Sequence, residues 1–510
     1  MRTAFSAMGK IRKSRTRQIV FFWLSLALLW LSRPAHAQPA ERTYQPRFFS
    51  VPCRLELPPG EIRYLTVQCG YLQVPENRET GRGVVQLAVV RLLARSENPQ
   101  PDPIVYLAGG PGGNASGRLD EWHTSPLREE RDVFLFDQRG TGRSRPSLDC
   151  DGAFGNSVES WALRCLRILY RRGIDPRNYT SRDSAADLRD LRLALHIDEW
   201  NLVGVSYGSR LALTTLRDHP EGVRSVILDS VYPPPADFYG EQASNGAKAL
   251  STLFTGCAAD PACAAAYPEL ERVMHQTMTD LNEQHSEITL TNPRSGEAEV
   301  SIFGGSQFYQ STFRALYSVD DIPYLPLAIY EMSVGNSAVY AQLISANRER
   351  GRSINDGVYY SVQCSEEAPF TIPEDLARAA AVFPPSFQAH VMRGLRDSLK
   401  ICEFWPVSPL DPVETEAVHS EIPALLLAGE YDPITPPAWA ALAAETLPNS
   451  YSFTLRGIGH GVIRSSDCGT QIARNFLSAP TAHPSDECLA TLSGPAFVIE
   501  DRWLPTAAEE

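Results

Sequence analysis

Beyond residue 37 the sequence has no basic tract, no Cys-x-x-Cys pair and no internal repeat. Without clustered Lys and Arg there is no electrostatic footprint for nucleic acid or anionic lipid, and an acidic surface repels both. The 510 residues carry 47 basic and 60 acidic side chains, a formal charge of −13. Seven of the basic residues and none of the acidic ones fall in residues 1–37, which leaves 40 against 60 in the remainder, or −20. With no cysteine pair at two-residue spacing and no histidine beside one, the cysteines do not read as a zinc site. Nor is there an apolar run long enough to span a bilayer with ease. The most apolar stretch, IVFFWLSLALLWL, covers only residues 19–31, whereas a spanning helix needs about 20 residues.

That stretch has a setting of its own. Arg2, Lys10, Arg12, Lys13, Arg15 and Arg17 precede it and SRPAHA-Q follows. A basic region, a short apolar region and an Ala-x-Ala end describe a secretory signal cut after Ala37, with an uncleaved anchor as the alternative. The expectation is an exported protein, periplasmic or secreted. All ten cysteines lie after the cut: Cys53, Cys69, Cys150, Cys165, Cys257, Cys263, Cys364, Cys402, Cys468 and Cys488. An even number in an exported chain implies disulfides. Pairing of neighbours is the simplest of many connectivities, among which the sequence does not choose. Oligomeric state is not legible either.

Hydrophobic residues make up 43% of the chain, enough for a large core. IRYLTVQCGYLQVPEN (62–77) and VVQLAVVRLLA (84–94) read as strands near a sheet edge. PIVYLAGG (103–110) and DVFLFDQRG (132–140) are short apolar runs that stop at glycine-rich turns, the pattern of parallel strands buried on both faces. A helical period over 183–197, a strand at 201–205, a helix at 209–219 and a strand at 223–230 continue the rhythm. Strand–helix alternation implies an α/β fold, a mostly parallel sheet with helices on both faces. From about 236 to 415 the pattern turns mostly helical. EIPALLLAGEYDPITPP (421–437) and SYSFTLRGIGHG (450–461) then restore the sheet pattern, and 469–478 closes as a helix. The expected organisation is a core of residues 38–235 and 416–510, interrupted by a large helical cap insertion at 236–415, with 38–60 as an N-terminal arm.

GVSYG (204–208) sets Ser206 between glycines two before and two after it, where a strand gives way to a helix. Such glycines allow a sharp turn that exposes the serine as a nucleophile. A small packed residue in a tight turn is the bland reading of the same five residues. His460 in RGIGHG follows the last strand-like run and suits a general base. Asp432 in LLLAGEYDPITP suits the acid that orients it, with Glu430 as competitor. The order Ser, Asp, His is that of an α/β-hydrolase triad. LAGGPGGNASG (107–117) offers backbone N–H groups for an oxyanion site, with Gly110 and Tyr207 as the expected donors. The same glycines lack the Lys-Ser/Thr pair of a phosphate loop and open no helix that would suit a dinucleotide. Asp137, Arg139 and Asp229 read as structural supports.

Taken together, CGYLQVPEN, YLAGGPGG, FDQRGTGRS, GVSYGS, GEYDPITP and GIGHG resemble the α/β-hydrolase serine peptidases that include proline iminopeptidase. The similarity is greatest to their secreted branch, the tripeptidyl aminopeptidase-like hydrolases with a TAP-like C-terminal segment. The motifs run from about residue 60 to 490. By that resemblance Ser206 is the nucleophile, Asp432 the acid and His460 the base. Ala108 departs from the histidine usual in cytoplasmic proline iminopeptidases, which argues against a strict member of that type. The resemblance further implies acidic side chains that hold a substrate α-amine, and SVQCSEEAPF (361–370) offers Glu366 and Glu367, two solvated acids being the plain alternative. The function expected is release of proline or a di- or tripeptide from free N-termini. An esterase or amidase acting on small hydrophobic molecules, and a non-catalytic binding protein on the same fold, are the other readings. Small peptides are the expected partners, with no nucleic acid, no stable membrane partner, no metal and no organic cofactor.

Overall fold

In a computed structural model, residues 44–155, 157–292, 296–351 and 354–499 are described, so the expected signal at 1–37 lies outside them. Nine strands form one sheet: β1 (Arg47–Val51), β2 (Val67–Val74), β3 (Val85–Leu92), β4 (Ile104–Leu107), β5 (Val133–Phe136), β6 (Trp200–Val205), β7 (Val223–Asp229), β10 (Ala424–Gly429) and β11 (Ser450–Leu455). Their spatial order is β1-β2-β3-β5-β4-β6-β7-β10-β11. The pairings from β5 through β11 are parallel, while β1, β2 and β3 join antiparallel. The sheet is therefore mixed, with its antiparallel part at one end.

Side-chain alternation explains the two-sided burial. Val105, Leu107, Phe134, Phe136, Leu202, Val226, Leu228 and Leu426 enter one apolar cluster. Their immediate neighbours Ile104, Tyr106, Val133, Leu135, Val203, Ile227, Leu425 and Leu427 enter another. Successive residues of a strand point to opposite faces, so both faces of the parallel region are covered. The helices Ser181–Ala194 and Tyr207–Asp218 flank β6 in the chain. The first is capped by Thr180, whose hydroxyl accepts from the Asp183 N–H.

Between β7 and β10 the chain leaves the sheet for a helical insertion that starts with Phe238–Ala259 and ends with Arg393–Cys402. A third apolar cluster, including Leu253, Met274, Met278, Phe308, Tyr309 and Phe387, is built mostly from it and takes in Tyr431 and Ile434 from beyond β10. Two elements differ from the sequence expectation. Part of the expected arm pairs with β2 as the edge strand β1. The insertion also holds a hairpin, β8 (Ser286–Thr291) with β9 (Ala298–Phe303).

The five disulfides join sequence neighbours: 53–69, 150–165, 257–263, 364–402 and 468–488. Cys364–Cys402 closes the longest loop, a separation of 38 residues. Loss of that loop's entropy restriction costs about 4 kcal/mol in the chain-entropy account. Replacing both cysteines by alanine is expected to lower unfolding stability by a few kcal/mol, read as a drop in the urea midpoint. The same double substitution at Cys257–Cys263, whose separation is 6, is expected to cost less.

Candidate active site

The ends of four parallel strands bring the expected residues to one edge of the sheet. Ser206 immediately follows β6 and opens the helix Tyr207–Asp218, with φ 59° and ψ −127°. A positive φ at a non-glycine residue is strained and persists only where its surroundings enforce it. The flanking glycines are required by close approach: a Cβ on Gly204 would stand 2.2 Å from the Gly208 carbonyl oxygen, and one on Gly208 2.0 Å from that of Leu107. The Ser206 N–H donates to the Asp229 carbonyl at 2.9 Å, which ties the turn to β7.

The loop after β4 leans on this turn. A Cβ on Gly109 would meet the Ser206 Cβ at 2.9 Å and its Oγ at 3.4 Å. The Gly113 N–H closes the loop onto the Gly109 carbonyl at 2.9 Å. The Gly112 carbonyl accepts from the N–H of Asn355, a residue of the insertion. The Asn355 side chain in turn donates to Asp149 at 2.6 Å. The insertion thus braces the glycine-rich loop in which Gly110 lies, and no local pattern in the sequence announces this.

Asp432 and His460 meet in a buried pair. Asp432 Oδ2 and His460 Nδ1 are 2.8 Å apart. Asp432 Oδ1 accepts from the N–H groups of Ile434 and Thr435, each at 3.0 Å, and Oδ2 accepts from the Thr435 hydroxyl at 2.7 Å. Burial pushes the Asp432 carboxyl up, but His460 and the Thr435 donors outweigh it and hold it below the usual aspartate value. The competitor Glu430 is used elsewhere, accepting from the Gly457 N–H at 2.9 Å. The His460 N–H donates to the Tyr317 carbonyl at 2.9 Å, and the two rings lie 5.0 Å apart. Asp229 accepts from the N–H groups of Val462 and Ile463, and the Ser230 hydroxyl from that of Gly461. The histidine loop is therefore fastened to β7 on one side and to the insertion on the other. Among the described residues the Ser206 hydroxyl makes no hydrogen bond; in unliganded sites such contacts are often long and close only on substrate.

Asp137 and Arg139 lie below the glycine loops. Asp137 accepts from the Ser116 N–H and hydroxyl and from the Arg143 N–H. Arg139 binds both oxygens of Asp187, at 2.8 and 2.7 Å.

Glu366 and Glu367 sit in a π-type turn, Gln363–Glu367, pinned by Cys364. Glu366 is fully buried. One of its oxygens accepts from the Ser181 N–H at 2.7 Å and the other from the Ser181 hydroxyl at 2.5 Å. That hydroxyl also meets the Tyr207 hydroxyl at 2.7 Å. Arg210 lies 3.9 Å from Glu366 and 2.9 Å from Glu367. Neither acid is a solvated surface group. Burial, partly offset by Arg210, pushes each carboxyl up to about 7. The sign follows from linkage. A raised acid is still protonated in the folded protein when the unfolded chain has already released its proton. Its contribution to stability is complete below about pH 4.5 and is lost as pH rises toward about 7. Glu366→Gln removes that titration, so its melting temperature is expected to fall less between pH 4.5 and 7 than that of the parent. Parallel slopes for the two proteins would contradict the assignment.

These elements define a class: a mixed sheet with a helical insertion, a serine at a strained strand–helix turn and a buried Asp–His pair beyond the next strands. Residues 102–463 match the family model for the alpha/beta hydrolase fold, and the chain belongs to that family. It is 26% identical to the serine protease Hip1 of Mycobacterium tuberculosis (strain ATCC 25618 / H37Rv), over 93% of this chain and 98% of that protein. It is 25% identical to the tripeptidyl aminopeptidase of Streptomyces lividans, over 78% of each. Among solved structures, an esterase from Thermogutta terrifontis is 15% identical, with 81% of this chain and 99% of that chain covered and a TM-score of 0.39. The chain is a serine hydrolase of the α/β-hydrolase fold, related to proline iminopeptidase, Hip1 and tripeptidyl aminopeptidase alike. The comparisons single out no one branch, including the secreted branch expected from the motifs.

Proposed function

We propose that the protein hydrolyses small esters and amides through an acyl-enzyme on Ser206. His460 takes the hydroxyl proton as Ser206 Oγ bonds to the substrate carbonyl carbon, and Asp432 stabilises the imidazolium. The N–H groups of Tyr207 and Gly110 receive the developing oxyanion. The intermediate collapses, the alcohol or amine leaves with the proton from His460, and water repeats the sequence to free the acid and restore the serine. The 2.8 Å bond between Asp432 and His460, placed beyond the same sheet edge as the Ser206 turn, carries this reading. The insertion at 236–415 serves as the cap that limits substrate size.

A second reading, release of residues or short peptides from a free N-terminus, is favoured by the name of the tripeptidyl aminopeptidase of Streptomyces lividans, which matches 78% of the chain. It gains little from Glu366, whose oxygens are both engaged by Ser181. Nor is Glu367 free for an α-amine, since its Oε1 lies 2.9 Å from the Arg210 guanidinium. Export after removal of residues 1–37 belongs to the same proposal, and the five disulfides support it. A panel of p-nitrophenyl esters and short peptides with free or acetylated N-termini separates the two readings. Ester turnover with indifference to acetylation supports the first. A loss of more than tenfold on acetylation supports the second.

A further inference from the structure

We infer that Arg314, with the aromatic cavity beside it, forms a subsite for a carboxylate on the substrate. The inference rests on the acyl-hydrolase reading above and adds what that substrate carries. A cavity of about 210 Å³ opens in the insertion, its wall including Tyr239, Tyr309, Phe313 and Tyr359, with Gln242, Gln310, Arg314 and Ser398 as polar members. A second, larger groove of about 370 Å³ shares Gln310, Arg314 and Gly394 with it and runs on past Arg393 and His390 to the β8–β9 hairpin. Arg314 therefore stands where the two spaces meet.

The cavity is tied to the reacting centre through a short segment. Arg314 is the penultimate residue of the helix Gly305–Ala315. The Tyr317 N–H donates to the Arg314 carbonyl at 3.2 Å, and the Tyr317 carbonyl accepts the His460 N–H at 2.9 Å. The Phe313 and Tyr317 rings are 6.0 Å apart, and those of Tyr317 and His460 are 5.0 Å apart. A group held by Arg314 is thus one turn of chain from the residue that seats the base.

One charged group there has no protein partner among the described residues. Among the described residues the Arg314 guanidinium makes no ion pair and no hydrogen bond, although Asp397 lies in the lining of the neighbouring groove. The Tyr239 hydroxyl, in a residue only 1% exposed, is engaged by Tyr359 of the same wall. A planar guanidinium with free donors matches a carboxylate in two parallel hydrogen bonds, and Arg314, itself exposed, offers those donors at the mouth of the cavity. In a chain of formal charge −13, an unpaired arginine at the edge of this cavity favours an anionic ligand group over a cationic one. The carboxylate comes from the C-terminus of a short peptide or from an acidic side chain.

The test compares two p-nitrophenyl esters, monoglutarate and methyl glutarate, which differ only in a free carboxylate. The parent is expected to show kcat/KM at least tenfold higher for the charged ester, mainly through KM. Arg314→Gln is expected to bring the ratio close to one, and Arg314→Lys to restore part of it. Equal rates in the parent, or a ratio that survives Arg314→Gln, would overturn the inference. A free against an amidated peptide C-terminus, and a Glu against a Gln residue within the peptide, distinguish the two sources of carboxylate. Glutarate itself, read by thermal shift, probes the subsite without turnover. If neither ester is cleaved, the acyl-hydrolase reading fails, and stabilisation by glutarate that Arg314→Gln abolishes still upholds the carboxylate site. Absence of that stabilisation in the parent would overturn it.

Discussion

Ser206→Ala is expected to lower kcat for every ester or amide substrate by a factor on the order of 10⁴ to 10⁶, as loss of a serine nucleophile does elsewhere. The folded protein should be nearly untouched. The Ser206 hydroxyl makes no hydrogen bond among the described residues, and alanine meets the same backbone strain at φ 59° as serine. A melting temperature close to the parent's, beside a rate that collapses, would separate loss of chemistry from loss of structure. Retention of more than a tenth of the parent's activity would place the nucleophile elsewhere.

Asp432→Asn is expected to lower kcat by about 10⁴. The amide oxygen can replace Oδ1, which faces the N–H groups of Ile434 and Thr435. The amide nitrogen then falls where Oδ2 now meets His460 Nδ1 and the Thr435 hydroxyl. It can only donate, so His460 must accept at Nδ1 and carry its proton on Nε2, the nitrogen that has to receive the serine proton. The loss should therefore appear in kcat far more than in KM. Stability gives a second reading. A carboxyl held below its usual value contributes fully above about pH 4 and loses that contribution as pH falls through its folded value. Asp432→Asn should accordingly flatten the acid limb of the stability profile, the opposite sign to Glu366→Gln.

How much of this was legible in the sequence depends on whether the constraint was local. The turn at Ser206 was, because backbone packing at Gly204 and Gly208 demands glycine at two fixed offsets. β4 and β5 were, because full burial on both faces leaves unbroken runs, IVYL and VFLF. Asp432 was separable from Glu430 by its place beyond β10, and the hydrogen bonds now show why Glu430 serves the turn at Gly457 instead. The hairpin β8–β9 has a local signal: SEITLT alternates, and a stretch rich in turn-type residues, NPRSG, follows it in the sequence. β1 left less, since its residues are mostly exposed at the sheet edge.

Other parts depend on residues far apart in the chain. The expectation for Glu366 and Glu367 was drawn from two acids beside a cysteine. Their burial comes from Arg210 and Ser181, more than 150 positions earlier. Thr435 is three residues from Asp432, yet nothing in PITPP distinguishes a hydroxyl aimed at that carboxylate from a turn residue. The carbonyl of Tyr317 holds His460, and the N–H of Asn355 holds Gly112. Both are main-chain contacts made by the insertion, and main-chain contacts leave no mark in side-chain chemistry.

The central claim is that the hydroxyl of Ser206 is activated by the imidazole that Asp432 orients. Reaction with a fluorophosphonate, followed by mass mapping of the adduct, tests it most directly. The account predicts one adduct per chain, on Ser206, formed quickly by the parent and slowed by orders of magnitude in His460→Ala. Labelling of a different residue, or of Ser206 at the same rate without His460, would contradict it.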